Sequence, residues 1–248
     1  MYLIGDIGNT EIKICLFNSN LKMSKKIVLK TNLIDKKYLS KKLKFLNSYR
    51  NKIEKIIFSS VVPSAFLTIK SFLKKIILIK CFELKDFNLK KLIKIKVNKK
   101  QIGSDRLANA IAAINNKDNF IILDFGTATT FDVLIKNVYH GGVIAPGLKL
   151  SLNMLISNAS LIPQLNLKKI NKVIGSNTVS AVRSGFYWGY VGLIDNIVNL
   201  IKKETRKSFK IIITGGFSHL FAKSVYKKVI INKDITINGL IKATDLIK

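Results

Sequence analysis

Three aspartates stand among glycines and threonines in a chain where acids are scarce, with 43 basic residues against 14 acidic ones. Asp6 sits in Ile4-Gly-Asp-Ile-Gly-Asn-Thr10, Asp105 in Gly103-Ser-Asp-Arg106, and Asp124 in Asp124-Phe-Gly-Thr-Ala-Thr-Thr130. Glycine turns leave backbone N–H groups free to face an anion, and Asn or Thr side chains add uncharged donors. A carboxylate beside such a turn is suited to the hard cation that accompanies a polyphosphate. Two such hairpins facing each other would hold the β- and γ-phosphates of a nucleotide from both sides. One D-x-G-x-T alone reads equally as an Asx-type turn closing a hairpin. The second copy, with Asp6 aligning on Asp124 and Gly8 on Gly126, favours the phosphate reading. No Walker sequence, strand-linked G-x-G-x-x-G or protein-kinase signature is present, so the expected nucleotide site is of another kind.

Asp105 supports two readings. At the first turn of a helix it gains from the helix dipole and stays ionised, and it then either pairs with Arg106 as a weak surface contact or accepts a proton from an attacking hydroxyl. In the second case Arg106 holds an anionic substrate in its planar fork.

The elements that must position these residues follow from pattern. Apolar residues 2–6 and the alternating Ile12, Ile14 and Leu16 predict a hairpin closed at residues 6–10. A lysine-rich helical region is expected near 35–53, a strand over Lys55–Val62, a helix from about 64 to 74 and a strand near 76–80. Leu107, Ile111 and Ile114 recur at helical spacing behind Asp105, and residues 119–135 repeat the strand-turn-strand opening. Residues 139–147 read as turn-rich. The segment 177–203 is the longest helical pattern, with Thr178 near its N-cap. Its Gly185, Gly189 and Gly192 read as a close approach for another helix, and Phe209–Phe217 as a buried strand ending in Thr-Gly-Gly. Self-similarity at half the chain length predicts two copies of one α/β unit, at 1–116 and 117–248.

Composition bounds the rest. A hydrophobic fraction of 48% with 23% charged residues is globular. Cys15 and Cys81, far apart and without C-x-x-C spacing, read as small apolar residues in a reducing compartment. No basic leader and no membrane-length apolar run are seen, so a cytoplasmic protein is expected. The net charge of +29 invites nucleic acid, yet only Arg50, Arg106, Arg183 and Arg206 are arginines. Lysines spread along the chain with much Ile and Asn, which share A/T-rich codons, argue against a specific nucleic-acid reader.

The ordered set DIGNT at 6–10, GSDR at 103–106, DFGTATT at 124–130, GGVIAPG at 141–147, GSNT at 175–178 and TGG at 214–216 resembles the type III pantothenate kinases along essentially the whole chain. The resemblance implies an α/β, duplicated actin-like fold of the acetate and sugar kinase/Hsp70/actin, ribonuclease H-like kind, with ATP in an interdomain cleft. It implies phosphorylation of pantothenate at its primary hydroxyl to 4'-phosphopantothenate, a homodimer, and dependence on Mg²⁺ and a monovalent cation, K⁺ or NH₄⁺. Carried over by motif, Asp6, Ile7, Gly8, Asn9, Thr10, Glu11, Ile12 and Lys13 contact ATP, with Asp6 also meeting magnesium through water. Asp105 is the proton acceptor, and Gly103, Ser104, Asp105, Arg106 and Thr178 line the pantothenate site. Asp124 ligates the monovalent cation, Thr127 touches ATP, and Gly215 and Gly216 admit the adenosine. Two departures stand out: the family usually reads GADR where Ser104 adds a hydroxyl, which is expected to be tolerated, and Leu92–Asn98 lacks the aromatic that often precedes the motif. The competing expectations are a kinase of the same fold on another small hydroxy acid, or a non-catalytic transcription-accessory relative.

Overall fold

The computed structural model describes residues 1–225 and 229–247. The chain divides into two units, Met1–Ile114 with Asp234–Lys248, and Asn115–Lys233. The C-terminal segment Asp234–Lys248 groups with the first unit.

The first unit carries β1 (Tyr2–Ile7), β2 (Glu11–Phe17), β3 (Met23–Lys30), β4 (Lys55–Ser60) and β5 (Cys81–Glu83), in the order β3-β2-β1-β4-β5. The first three strands form an antiparallel meander, and β4 and β5 run parallel to β1. Leu3 and Ile4 are both fully buried although they point to opposite faces, because helices cover the sheet on each side. On one face α1 (Lys36–Lys42) and α2 (Pro63–Ile76) close over Ile12, Ile14, Leu16, Ile56 and Phe58. The other face receives α3 (Ser104–Ala113) and α7 (Ile235–Ala243), which pack on each other and on β4. A Cβ at Gly239 would collide with the Ala108 carbonyl, so the two helices meet backbone to backbone. Lysines 25, 26 and 30 on the edge strand β3 discourage pairing with another chain.

Between β5 and α3 lie short 3₁₀ turns and the two-residue strand β6 (Lys94–Ile95). The strand expected near 76–80 lies instead at 81–83. The helix before it continues to Ile76, Ile77 caps it by donating to the Leu73 carbonyl, and Leu78 is fully exposed.

The second unit repeats the plan. Its strands are β7 (Asn119–Phe125), β8 (Ala128–Ile135), β9 (Val138–Pro146), β10 (Lys210–Gly215) and β11 (Val229–Ile231), in the order β9-β8-β7-β10-β11. Again a three-strand antiparallel meander is extended by two parallel strands. The stretch 139–147, read as turn-rich, is mostly strand β9. Helices α4 (Leu148–Asn158), α5 (Thr178–Thr205) and the short α6 (Ser218–Phe221) complete the unit. On α5, Ser184, Tyr187, Val191, Ile194, Val198 and Ile201 make the buried stripe at three- and four-residue spacing. They pack on Ile121, Leu123, Phe131 and Val133, and Phe221 stacks between Phe125 at 5.1 Å and Tyr187 at 5.7 Å. Gly185, Gly189 and Gly192 lie outside that stripe, with open space where a Cβ would stand. Among the described residues no atom beyond the adjoining stretch of α5 lies within 4 Å of a Cβ built at any of the three.

Candidate active site

The first glycine turn is Gly8-Asn9-Thr10, between β1 and β2. Gly8 N–H donates to the Glu11 carbonyl at 3.0 Å. Thr31, just past β3, braces the turn twice: its hydroxyl donates to the Gly8 carbonyl at 2.8 Å and its N–H to the Thr10 carbonyl at 3.0 Å. Asn9, Thr10 and Glu11 are exposed, whereas Ile7 and Ile12 are core residues that offer only main chain to a ligand.

Asp6, one residue before the end of β1, is half-buried and accepts a hydrogen bond from Ser59 Oγ at 2.7 Å. Ser59 comes from β4, whose register sets Ser59 beside Asp6, and Lys13 lies opposite Asp6 on β2. Burial pushes the Asp6 carboxyl above its ordinary value, Ser59 opposes this, the Asp105 charge pushes further up, and Lys13 pulls down. Two acids far apart in sequence thus share one electrostatic field.

Asp105 belongs to the first turn of α3 and is half-buried. Its Oδ1 accepts from the Arg106 N–H at 2.8 Å. Burial raises this carboxyl also; the Arg106 N–H and guanidinium, and more weakly Lys85, draw it back. The helix start does not hold Asp105 in its ordinary ionisation range, because burial outweighs these groups. A Cβ at Gly103 would strike Asp105 Oδ1, so the glycine leaves room for the carboxylate. Ser104 is 1% exposed and donates from Oγ to Glu83 at the end of β5. Asp6, Ser59 and Glu83 therefore come from the carboxyl ends of three parallel strands, where ligands of open α/β sheets bind.

In the second unit the turn is Gly126-Thr127, both exposed, with Gly126 N–H donating to the Ala128 carbonyl at 3.1 Å. Asp124 is half-buried at the end of β7, opposite Thr130. Glycines press on both flanks of this turn. A Cβ at Gly147 would collide with the Thr127 carbonyl. Gly215 has φ +85 and leaves only 2.5 Å between a built Cβ and the Phe125 carbonyl oxygen. Gly216 N–H then donates to that oxygen at 3.2 Å. Thr178 is the first residue of α5, not its cap. Asn177 caps the helix, accepting from the Ser180 N–H at 2.9 Å while Ser180 Oγ accepts from the Asn177 N–H at 3.1 Å, which leaves the Thr178 side chain exposed.

The structure brings Asp6, Gly103, Ser104, Asp105 and Arg106 together in the first unit, and Asp124, Thr127, Gly215 and Gly216 in the second. Sequence reasoning missed Thr31, Ser59 and Glu83, which reach the site by strand pairing. The signal for Ser59 was present: Ser59-Ser60 end an apolar strand without serving as a turn. Among the described residues no group of three or more His, Cys, Asp or Glu side chains converges on one point.

A three-stranded meander followed by two parallel strands, built twice, with a glycine turn and an acid in each copy, defines a duplicated actin-like fold of the acetate and sugar kinase class. Solved structures share it. A Sinorhizobium meliloti protein assigned as a 2-dehydro-3-deoxygalactonokinase superposes with a TM-score of 0.64 at 9% identity over 98% of each chain. A Campylobacter jejuni protein assigned to the Baf family of transcriptional activators gives 0.62 at 19% identity, over 98% of this chain and 97% of that one. The family model described as type III pantothenate kinase matches residues 2–200. A type III pantothenate kinase of Pelagibacter ubique (strain HTCC1062) is 68% identical over 248 residues, 100% of both chains. The chain belongs to the type III pantothenate kinase family.

Proposed function

We propose that this chain transfers the γ-phosphoryl group of ATP to the primary hydroxyl of pantothenate, giving 4'-phosphopantothenate in the first step of coenzyme A biosynthesis. The observation that carries the residue roles is the Asp105 carboxylate, half-buried on the first turn of α3 with Gly103 leaving it room. The pantothenate oxygen bonds to the γ-phosphorus, the bond to the bridging oxygen of ADP breaks, and the hydroxyl proton passes to Asp105. A carboxylate whose affinity for a proton is raised by burial is the stronger base. Arg106 lowers that affinity without cancelling it and takes the pantothenate carboxylate, while Gly103, the Ser104 main chain and Thr178 line the substrate.

Main-chain N–H groups of the first turn, with Asn9, Thr10 and Lys13, hold the phosphates. Ile7 and Ile12 contribute backbone alone. Asp6, near the end of β1 beside the first turn and oriented by Ser59, would hold Mg²⁺ through water, since a hard cation takes carboxylate oxygen or water. Held there, Mg²⁺ would supply positive charge to the phosphates. Asp124 takes K⁺ or NH₄⁺, Thr127 touches ATP, and the backbone at Gly215 and Gly216 admits adenosine.

The protein works in the cytoplasm as a homodimer; among the described residues no helix is long and apolar enough to cross a membrane. Leu155 of α4 with Val182, Phe186, Gly189, Tyr190 and Leu193 of α5 line an apolar groove of about 290 Å³, and α4 also exposes Leu150 and Met154. The same face of a second copy is its occupant. Leu193→Glu would yield a monomer by sedimentation; a variant still dimeric refutes this surface. For the activity, a coupled assay of ADP release is decisive. Turnover should require pantothenate and rise with potassium, and equal turnover with other small hydroxy acids would overturn the substrate.

A further inference from the structure

We propose that Glu83 is a positioning residue that fixes the start of α3 and, through it, the Asp105 carboxylate. The inference rests on Asp105 being the proton acceptor.

Helix α3 begins without a side-chain cap, because its N-cap is Gly103. Within that first turn the Arg106 N–H is taken by Asp105 Oδ1 at 2.8 Å, so a displaced turn would carry the carboxylate with it. The first helical residue, Ser104, is 1% exposed, so its hydroxyl needs a partner within the protein. Glu83 supplies it: Oε1 accepts from Ser104 Oγ while Oε2 accepts from the Lys85 N–H at 2.6 Å. The Glu83 N–H in turn donates to Asp86 Oδ2 at 2.9 Å, so main chain and carboxylate are both held. Glu83 itself ends β5, in register with Phe58 of β4, which lies beside Gly5 of β1. The sheet that sets Asp6 therefore also sets Ser104, through one side chain. Asp105 follows directly, with Gly103 leaving its carboxylate space. The added hydroxyl at position 104, where the family usually has alanine, is the partner of this acid.

Removing Glu83 would leave a buried hydroxyl unpaired in the helix turn that carries the base, and such groups are displaced toward other partners. A shift of about 1 Å at a reacting group can cost up to about 100-fold. Glu83→Ala is expected to lower kcat about 10-fold with the KM for ATP unchanged. Glu83→Gln, which keeps an acceptor oxygen, stays near native. Ser104→Ala placed on Glu83→Ala removes the orphan hydroxyl and restores kcat to within about 3-fold of native. A Glu83→Ala kcat within about twofold of native, or a double variant no faster than Glu83→Ala, overturns the proposal. Should Glu83→Ala not fold, Glu83→Asp, one methylene too short to reach Ser104, carries the same rescue test. Asp105→Asn is assayed in parallel: activity there overturns the proton-acceptor reading, a result distinct from any outcome at Glu83.

Discussion

In the first unit β1 and β2 are joined by Gly8, Asn9 and Thr10, whereas in the second β7 and β8 are joined by Gly126 and Thr127 alone. The strands around the two turns have the same order and directions, so the differences are in side chains. Asp6 faces Lys13 across the hairpin, and Asp124 faces Thr130. Beside them on the next parallel strand stand Ser59 and Thr214, then Ser60 and Gly215. Two residues further from the turn, Cys15 in the first unit occupies the place of Asp132 in the second. Burial pushes the Cys15 thiol up to about 11, so it stays neutral and apolar, while Asp132 is fully buried and accepts from Tyr139 Oη at 2.6 Å. One scaffold has thus been equipped twice. The first copy gathers acids and a lysine around an exposed amide turn, and the second is pared to glycine on both sides, which suits close approach of a ligand to backbone.

The largest expected effect comes from deleting the charge found only in the first copy. Asp105→Asn keeps the acceptor for the Arg106 N–H and loses the base, so kcat should fall at least about 100-fold, with nucleotide binding by calorimetry largely retained. The same substitution should raise the melting temperature at pH 7. Burial gives Asp105 a folded-state pKa above its unfolded value. Its contribution to stability is therefore fully present below the unfolded pKa and lost as pH rises through the folded one. The neutral amide escapes that loss, so its advantage in thermal melts should shrink as pH is lowered. A variant that is inactive and also less stable at pH 7 would show that Asp105 is not held there at a cost.

The second effect isolates the second turn. If Asp124 takes the monovalent cation, the native enzyme is activated by potassium over sodium, and Asp124→Asn becomes slow and indifferent to the salt. Rates that are equal in both salts for the native chain would remove the cation from Asp124. The third probes the glycine flank. Gly215→Ala, strained at φ +85 and set against the Phe125 backbone, should cost about 1–3 kcal/mol in denaturant unfolding. Its counterpart Ser60→Ala loses only a local pair with the Val62 backbone at 3.1 Å and should cost about 1 kcal/mol. Equal costs would mean that the pared flank has no special role.

How much of this was legible in the sequence depends on how local each feature is. Both turns, their acids and the helix behind Asp105 could be read, because glycine placement and apolar period lie within a few neighbouring residues. Which partner each acid meets could not, even where, as at Ser59, a polar residue ending an apolar strand stood out. Ser59 reaches Asp6 only through the β1–β4 register, and Glu83 reaches Ser104 only because β5 starts at Cys81. The run Ile76-Ile-Leu-Ile79 has strand composition, yet its first residue ends α2 and Leu78 points to solvent. Nor does any local pattern tell that α7, last in the chain, returns to the first unit, since the contact that seats it pairs Gly239 with Ala108.

The smallest expected effect is the most direct test of the difference between the turns, because it exchanges a single side chain. Lys13 lowers the proton affinity of Asp6, whereas Thr130 brings no charge to Asp124. Lys13→Thr gives the first turn the second turn's partner. The change removes one half-buried cation from the phosphate turn, an interaction worth about 0.5–1 kcal/mol. The KM for ATP should rise about 2- to 5-fold while the KM for pantothenate holds. The rise should shrink with added salt, since a partly solvated charge is screened. An unchanged KM for ATP at low ionic strength would mean that Lys13 serves Asp6 alone and leaves the phosphates to the amides.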